Sequence, residues 1–133
     1  MGLFGKSKAK ETQTEVNNNG IKWIPLTSVE QLNQIVETTF DKPVLLFKHS
    51  TRCSISTMAK TGLERKWSSG DDLCNAYYLD LLNQRDVSNQ IEALTGITHQ
   101  SPQAIVLKGR DVIYNASHNS IDARAIESTL KRS

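Results

Sequence analysis

The sequence predicts an α/β domain with a central mixed sheet of about five strands, flanked by about four helices. Two observations support this. Strand-like and helix-like patterns alternate from about Ile21 onward, and the last two strand-like runs are separated by a tight-turn signal. The alternation predicts parallel strands joined by helices, and the turn predicts a terminal antiparallel hairpin. The expected order is therefore β-α-β-α-β-α-β-β-α.

The first strand is expected at residues 22–26, with Pro25 confining it to an edge or terminal position. Thr27 and Ser28 offer two capping-box registers for the helix that follows. The apolar run at residues 44–47 is typical of a central strand buried on both faces. The buried face of the first helix is expected to contain Val29, Leu32, Val36 and Phe40. That of the second helix is expected to contain Ile55, Met58, Ala59, Gly62, Leu63 and Trp67.

A third strand is expected at residues 76–79, because aromatic and apolar residues favour strands. Gly96 should end the third helix in the left-handed conformation. Gly109 stands at the first central position of the hairpin turn, which predicts a type II′ turn. The third helix is expected to bury Val87, Ile91 and Leu94, and the last helix Ala123, Ile126 and Leu130.

The polar segment at residues 1–20 has no apolar period and is expected to be a disordered leader before one domain over residues 21–133. Its apolar start is too short for a signal peptide, and no stretch has the length of a membrane helix. The 16 basic and 14 acidic residues are spread along the chain, which argues against nucleic-acid binding. We therefore expect a cytoplasmic protein that binds neither membrane nor nucleic acid.

Cys53 stands between the buried central strand and the second helix. A thiolate is the reactive form of cysteine, and both the unpaired amides of a helix N-terminus and the charge of Arg52 would stabilise it. Three positions on, where many oxidoreductases carry a second cysteine, stands Ser56. Its hydroxyl can donate a hydrogen bond to the thiolate but cannot displace a sulfur. These residues predict a thiol–disulfide exchange in which a small thiol from solution resolves the intermediate.

The residues that flank the nucleophile, Thr51, Arg52, Ser54 and Ser56, are expected to contact the substrate. His49 could orient or protonate a sulfur. The favoured alternative is a satisfied polar residue at a strand end, because neighbouring residues on a strand point to opposite faces. Two cysteines without clustered histidines predict no metal site, and no tightly bound cofactor is expected.

Cys74 precedes the third strand, whereas Cys53 follows the second. If these strands are parallel, the two cysteines lie at opposite edges of the sheet. A strand of about five residues separates those edges by roughly 17 Å, whereas a disulfide needs Cα atoms within about 7 Å. Cys74 is therefore not expected to resolve a disulfide on Cys53.

Four segments of the chain, residues 47–56, 85–91, 99–103 and 116–118, resemble the YtxJ-type monothiol bacilliredoxins. The resemblance implies a thioredoxin-like fold, Cys53 as nucleophile and bacillithiol as the small-thiol co-substrate, removed from S-thiolated client proteins. It also implies that Pro102 is the cis-proline facing the nucleophile and that Ser101 pairs with an extended substrate. Many members carry a proline after the cysteine, where this chain has Ser54.

Two other functions remain open from the sequence. One is a redox-inert binding module of the same fold that holds an extended peptide along the edge formed by Ser101 and Pro102. The other is a thiol peroxidase or persulfide carrier, because a lone reactive cysteine also permits that chemistry.

Overall fold

The computed structural model describes residues 20–133, so the predicted leader lies outside the described residues except for Gly20. The elements follow the predicted order, with a short 3-10 turn at His118–Ser120 before the last helix. In chain order they are β1 (Trp23–Pro25), α1 (Val29–Thr38), β2 (Val44–His49), α2 (Ser54–Lys66), β3 (Asn75–Asp80), α3 (Arg85–Thr95), β4 (Gln103–Lys108), β5 (Asp111–Ser117) and α4 (Ala123–Arg132). No helix in the described part is long and apolar enough to cross a membrane.

The five strands form one mixed sheet in the order β1-β3-β2-β4-β5. β3 is parallel to both β1 and β2, whereas β4 is antiparallel to both β2 and β5. The predicted fold class, a five-stranded mixed sheet with four helices, is confirmed. β2 is the middle strand, and all six of its residues are buried.

Alternation along β2 divides the core into two parts, one on each face of the sheet. Val44 and Leu46 pack into the cluster that includes apolar residues of α1 and α3. Leu45 and Phe47 pack into the cluster that includes apolar residues of α2 and α4. The last two residues of β2 are polar and remain buried, so the strand carries polar groups into the protein at one edge of the sheet.

The predicted face of α2 is wrong at its first turn. Ile55 and Met58 are 57% and 72% exposed, whereas Ser56 and Leu63 are the buried residues of the helix. Ser56 and Leu63 are seven positions apart and therefore lie on the same side of a helix. The helix is thus rotated so that this side, rather than the side of Ile55 and Met58, faces the sheet.

Two more residues expected in the core are exposed. Phe40, 63% exposed, lies beyond the end of α1, and Ile35 is the further buried residue of that helix. Leu94, 41% exposed, lies in the last turn of α3, away from the buried Val87 and Ile91. In both cases the apolar period in the sequence continues to the end of the helix or beyond it, whereas the buried residues lie earlier in the helix.

The hairpin turn between β4 and β5 is type I′ rather than the predicted type II′. Both central residues have positive φ, 57° at Gly109 and 72° at Arg110. The buried Thr39, after α1, holds both of them. Its carbonyl accepts from the Gly109 N–H at 2.8 Å, and its hydroxyl oxygen accepts from the Arg110 N–H at 2.8 Å. These contacts from another element select a conformation that the turn residues alone did not indicate. Gly96 does end α3 in the left-handed conformation, as predicted.

Glu127 on α4 anchors the loop that follows α2. Its buried carboxylate accepts hydrogen bonds from the Ser68 N–H at 2.7 Å, the Ser68 hydroxyl at 2.8 Å and the Ser69 hydroxyl at 3.0 Å. Glu127→Ala removes all three charge-assisted bonds and should lower the free energy of unfolding by about 1 to 3 kcal/mol. Urea denaturation followed by circular dichroism measures this loss. Ser128→Ala, at the exposed neighbouring position, is the control, and equal midpoints for the two variants would contradict the anchoring role.

Candidate active site at the carboxyl end of β2

The sheet topology brings four chain segments together at the side of the sheet where β2 ends. Cys53 follows β2, Leu81 follows β3, Pro102 precedes β4, and His118 follows β5. Because β4 runs opposite to the other three strands, its beginning lies beside their ends. Two backbone hydrogen bonds join these segments, from the Leu81 N–H to the His49 carbonyl at 2.9 Å and from the His118 N–H to the Pro102 carbonyl at 3.0 Å.

Cys53 is the N-cap residue of α2, with extended backbone angles (φ −107°, ψ 117°). Its N–H donates to the Ser50 carbonyl at 3.1 Å, and its carbonyl accepts from the Thr57 N–H at 3.1 Å, so the backbone fixes its place. The side chain makes no capping hydrogen bond and is partly exposed. The first turn of α2 contains no acidic residue. The helix N-terminus therefore offers positive potential to a thiolate at this position.

Ser56 lies one turn into α2 and is fully buried. Its oxygen accepts from the Ser50 N–H at 3.1 Å and lies 2.7 Å from His49 Nδ1. The hydroxyl hydrogen can be donated to His49 Nδ1, and in that arrangement the imidazole proton lies on Nε2. The hydroxyl predicted to contact the substrate is instead hydrogen-bonded inside the protein, between the end of β2 and the first turn of α2.

His49 is buried, and its ring stacks against Phe47 with a centroid separation of 6.2 Å. Burial lowers the pKa of His49, and the nearby Lys60 lowers it further. Asp80 and Glu64 act in the opposite direction, and Glu64 is itself paired with Lys60 at 2.7 Å. The lowered pKa favours the neutral ring, which can accept the Ser56 hydroxyl hydrogen at Nδ1.

The other predicted substrate-contacting residues lie on the accessible side of this edge. Thr51 and Arg52 form an exposed turn between β2 and α2, and Ser54 is the exposed first residue of the helix. Ser101 is partly exposed and Pro102 buried, and the peptide bond between them is cis. All five belong to the segments that meet at the end of β2.

Cys74 lies at the other edge of the sheet. It immediately precedes β3, whose first residue Asn75 pairs with Val44 at the start of β2. The thiol is buried, and burial raises the pKa of Cys74 to about 12, with Lys42 opposing the shift. Both cysteines are free thiols. Cys74 is therefore neither near Cys53 nor prone to ionise.

Lys48 is a buried polar residue that the sequence patterns did not single out. It is fully buried, and its Nζ lies 3.3 Å from Nδ1 of His99, a residue that the sequence left open as either a site group or a satisfied polar residue. Its position in a strand buried on both faces was the one signal that could have identified it.

Within residues 20–133, no three side chains of His, Cys, Asp or Glu converge as metal ligands would.

Known structures share this architecture over most of the chain. A protein assigned as an oxidoreductase with a thioredoxin fold superimposes with a TM-score of 0.70 at 29% identity, covering 80% of this chain and 92% of its own. Thioredoxin of Malassezia sympodialis matches with a TM-score of 0.63 at 18% identity, covering 92% of this chain and 97% of its own. Thioredoxin of Trypanosoma brucei brucei matches with a TM-score of 0.65 at 12% identity, covering 89% and 96%. The fold is thioredoxin-like.

The family model described as monothiol bacilliredoxin BrxC matches residues 24–126. The matched range includes Cys53, the end of β2 and the segment around Pro102, and it excludes only the first and last parts of the chain. With a thioredoxin-like fold and one accessible cysteine at a helix N-terminus, this chain belongs to the monothiol bacilliredoxin family.

Proposed function

We propose that this protein is a monothiol thiol–disulfide oxidoreductase that removes a low-molecular-weight thiol, bacillithiol or an equivalent, from S-thiolated proteins. The observation that carries the proposal is the placement of the two cysteines. Cys53 is partly exposed at the N-terminus of α2, whereas Cys74 is buried at the opposite edge of the sheet. Membership of the monothiol bacilliredoxin family and the thioredoxin-like fold support a thiol redox role.

The proposed reaction is two successive disulfide exchanges. The Cys53 thiolate attacks the small-thiol sulfur of the mixed disulfide on the client, and the client cysteine leaves as a thiolate that takes a proton from solvent. Cys53 then carries the small thiol as a mixed disulfide. A second small-thiol anion attacks that mixed disulfide, releasing the Cys53 thiolate and a symmetrical small disulfide. No net electrons come from the protein, because the small thiol is the reductant.

The protein's own groups support the first exchange at the helix start. Ser54 begins α2, so its backbone N–H is among the unpaired amides that face the nucleophile, where a proline would remove that donor. The hydrogen bonds of Ser56 to His49 and Ser50 tie the first turn of α2 to the end of β2. We assign His49 and Ser56 as positioning residues for Cys53.

Substrate contacts are proposed for the accessible residues of the same edge. Thr51, Arg52 and Ser54 surround Cys53 in the chain and are exposed, and Ser101 precedes the buried Pro102. Arg52 supplies a positive charge for an anionic thiol, and the backbone of Ser101 is available to an extended client segment. A supply of reduced small thiol is a property of the cytoplasm, which is the proposed location.

The two cysteines should respond oppositely to mutation. Cys53→Ser should abolish dethiolation of a protein that carries a bacillithiol mixed disulfide, because no other accessible thiol replaces the nucleophile. Cys74→Ala should retain turnover to within about twofold, because the thiol is buried away from the site. Released small thiol measured by mass spectrometry gives the rate. A dominant disulfide between the two cysteines, with turnover lost in Cys74→Ala, would contradict the single-thiol cycle.

Stability should fall as the solution is acidified through the histidine range. The unfolded chain takes up a proton on His49 near the ordinary value, whereas the folded chain does so only at lower pH because burial lowers the pKa. Between those values the unfolded state binds more protons, so stability present above about pH 6.5 is lost as the pH falls. Urea midpoints between about pH 7.5 and 5.5 measure the slope.

His49→Gln should reduce that slope without removing it. The amide can still hydrogen-bond to Ser56 but does not titrate, and His99, whose pKa is also lowered by partial burial of its ring, still contributes. An unchanged slope in this variant would show that His49 is not a buried neutral histidine.

A further inference from the structure

Lys48 is a fully buried amine that the exchange at Cys53 does not use. It lies beside His49 near the end of β2 but on the opposite face of the sheet, the face covered by α1 and α3. Its Nζ lies 3.3 Å from His99 Nδ1. Burial of a charged amine is costly unless hydrogen bonds compensate, and His99 supplies such a hydrogen bond to Lys48.

Two further side chains complete what we call the Lys48 cluster, formed by Lys48, Ser88, His99 and Gln103. Ser88, on α3, places its hydroxyl oxygen 3.2 Å from His99 Nδ1. Gln103 is the residue directly opposite Lys48 on β4, so the two side chains share one face of the sheet. The Gln103 amide donates to the Thr98 carbonyl at 3.1 Å. Side chains from β2, α3 and β4 therefore form hydrogen bonds to residues 98 and 99 from the side of the protein interior.

The hydrogen bonds of the cluster favour a neutral His99. A protonated lysine has only donors, so Nδ1 of His99 presents its lone pair to the Lys48 ammonium. Burial lowers the pKa of Lys48, and the charge of Glu92 raises it. Partial burial of the ring lowers the pKa of His99, and the charges of Lys48 and Arg85 lower it further, while Glu92 opposes them. Protonation of His99 would replace the acceptor with a donor and place two positive charges together.

The held segment leads directly into the substrate edge. Two residues after His99 comes Ser101, whose backbone is proposed to pair with an extended client, followed by the buried Pro102. We infer that Lys48 and His99 are positioning residues that fix residues 98–101 for client-peptide recognition and leave the thiol chemistry of Cys53 unaffected. This inference rests on the proposed function, because it assumes disulfide exchange at Cys53.

Two probes that share one leaving group separate recognition from chemistry. One is an eight-residue peptide whose single cysteine carries a mixed disulfide with 5-thio-2-nitrobenzoate. The other is a single cysteine, capped at both ends, that carries the same mixed disulfide. Attack by Cys53 on the cysteine sulfur of either probe forms a new mixed disulfide and releases the coloured thiolate, so one absorbance trace follows both reactions. Both second-order rate constants depend in the same way on the fraction of Cys53 that is ionised. Their ratio is therefore independent of that fraction.

For Lys48→Met and His99→Ala we expect this peptide-to-single-residue ratio to fall roughly tenfold, because a charge-assisted hydrogen bond is lost. His99→Asn should keep the ratio within about twofold of the wild type, because the amide oxygen replaces the Nδ1 acceptor. In the wild type the ratio should also fall on acidification as His99 becomes protonated. In His99→Asn it should not change with pH.

Equal slowing of both probes would reduce the cluster to a structural role, and an unchanged ratio would remove the cluster from client recognition. Either result overturns the inference while Cys53 still reacts. If the single-residue probe fails to react with the folded wild-type protein, the proposed function itself fails. The His99 variants keep the test decisive if Lys48→Met does not fold, because His99 is an exposed residue and not part of the apolar core.

Discussion

All six residues of β2 are buried, and the site depends on this constraint. A strand covered on both faces must direct successive side chains into opposite halves of the core, up to its last residue. Four apolar residues fill the two halves, and then Lys48 and His49 carry a polar group into each. Both buried polar groups need hydrogen-bond partners. Ser56 from the first turn of α2 is the partner of His49, and His99 from the segment before Pro102 is the partner of Lys48.

The two faces satisfy their polar group in different ways. On the side of α2, the Ser56 hydroxyl bridges His49 and the Ser50 N–H, and it links the strand end to the first turn of the helix that Cys53 caps. On the side of α3, Lys48 meets His99 from the segment that leads to Pro102. The same strand thus contacts the first turn of α2 on one face and the proposed client edge on the other. Burial lowers the pKa of His49 and partial burial of the ring lowers that of His99, so the neutral form is favoured in both.

Much of the fold could be predicted from the sequence because it follows from local period and chain direction. The element order, the central strand and the left-handed Gly96 rest on such patterns, and parallel strands alone place Cys74 away from Cys53. The rotation of α2 could not be predicted, because a broad apolar pattern does not show which side the sheet will cover. Nor could the type I′ turn, which Thr39 selects from a distant part of the chain. Ser56 looked like a substrate contact because its partner, His49, is brought to it only by the folded end of β2.

The burial of Cys74 limits how many small-thiol groups one protein molecule can carry. With one thiol closed to solvent and the other at the site, each molecule can hold a single small-thiol equivalent at a time. In the proposed cycle the protein therefore cannot act as a reservoir that takes up several oxidised clients before it is regenerated. Its flux in a stressed cell would be set by how fast the second small thiol arrives, and this links its output directly to the concentration of the free thiol.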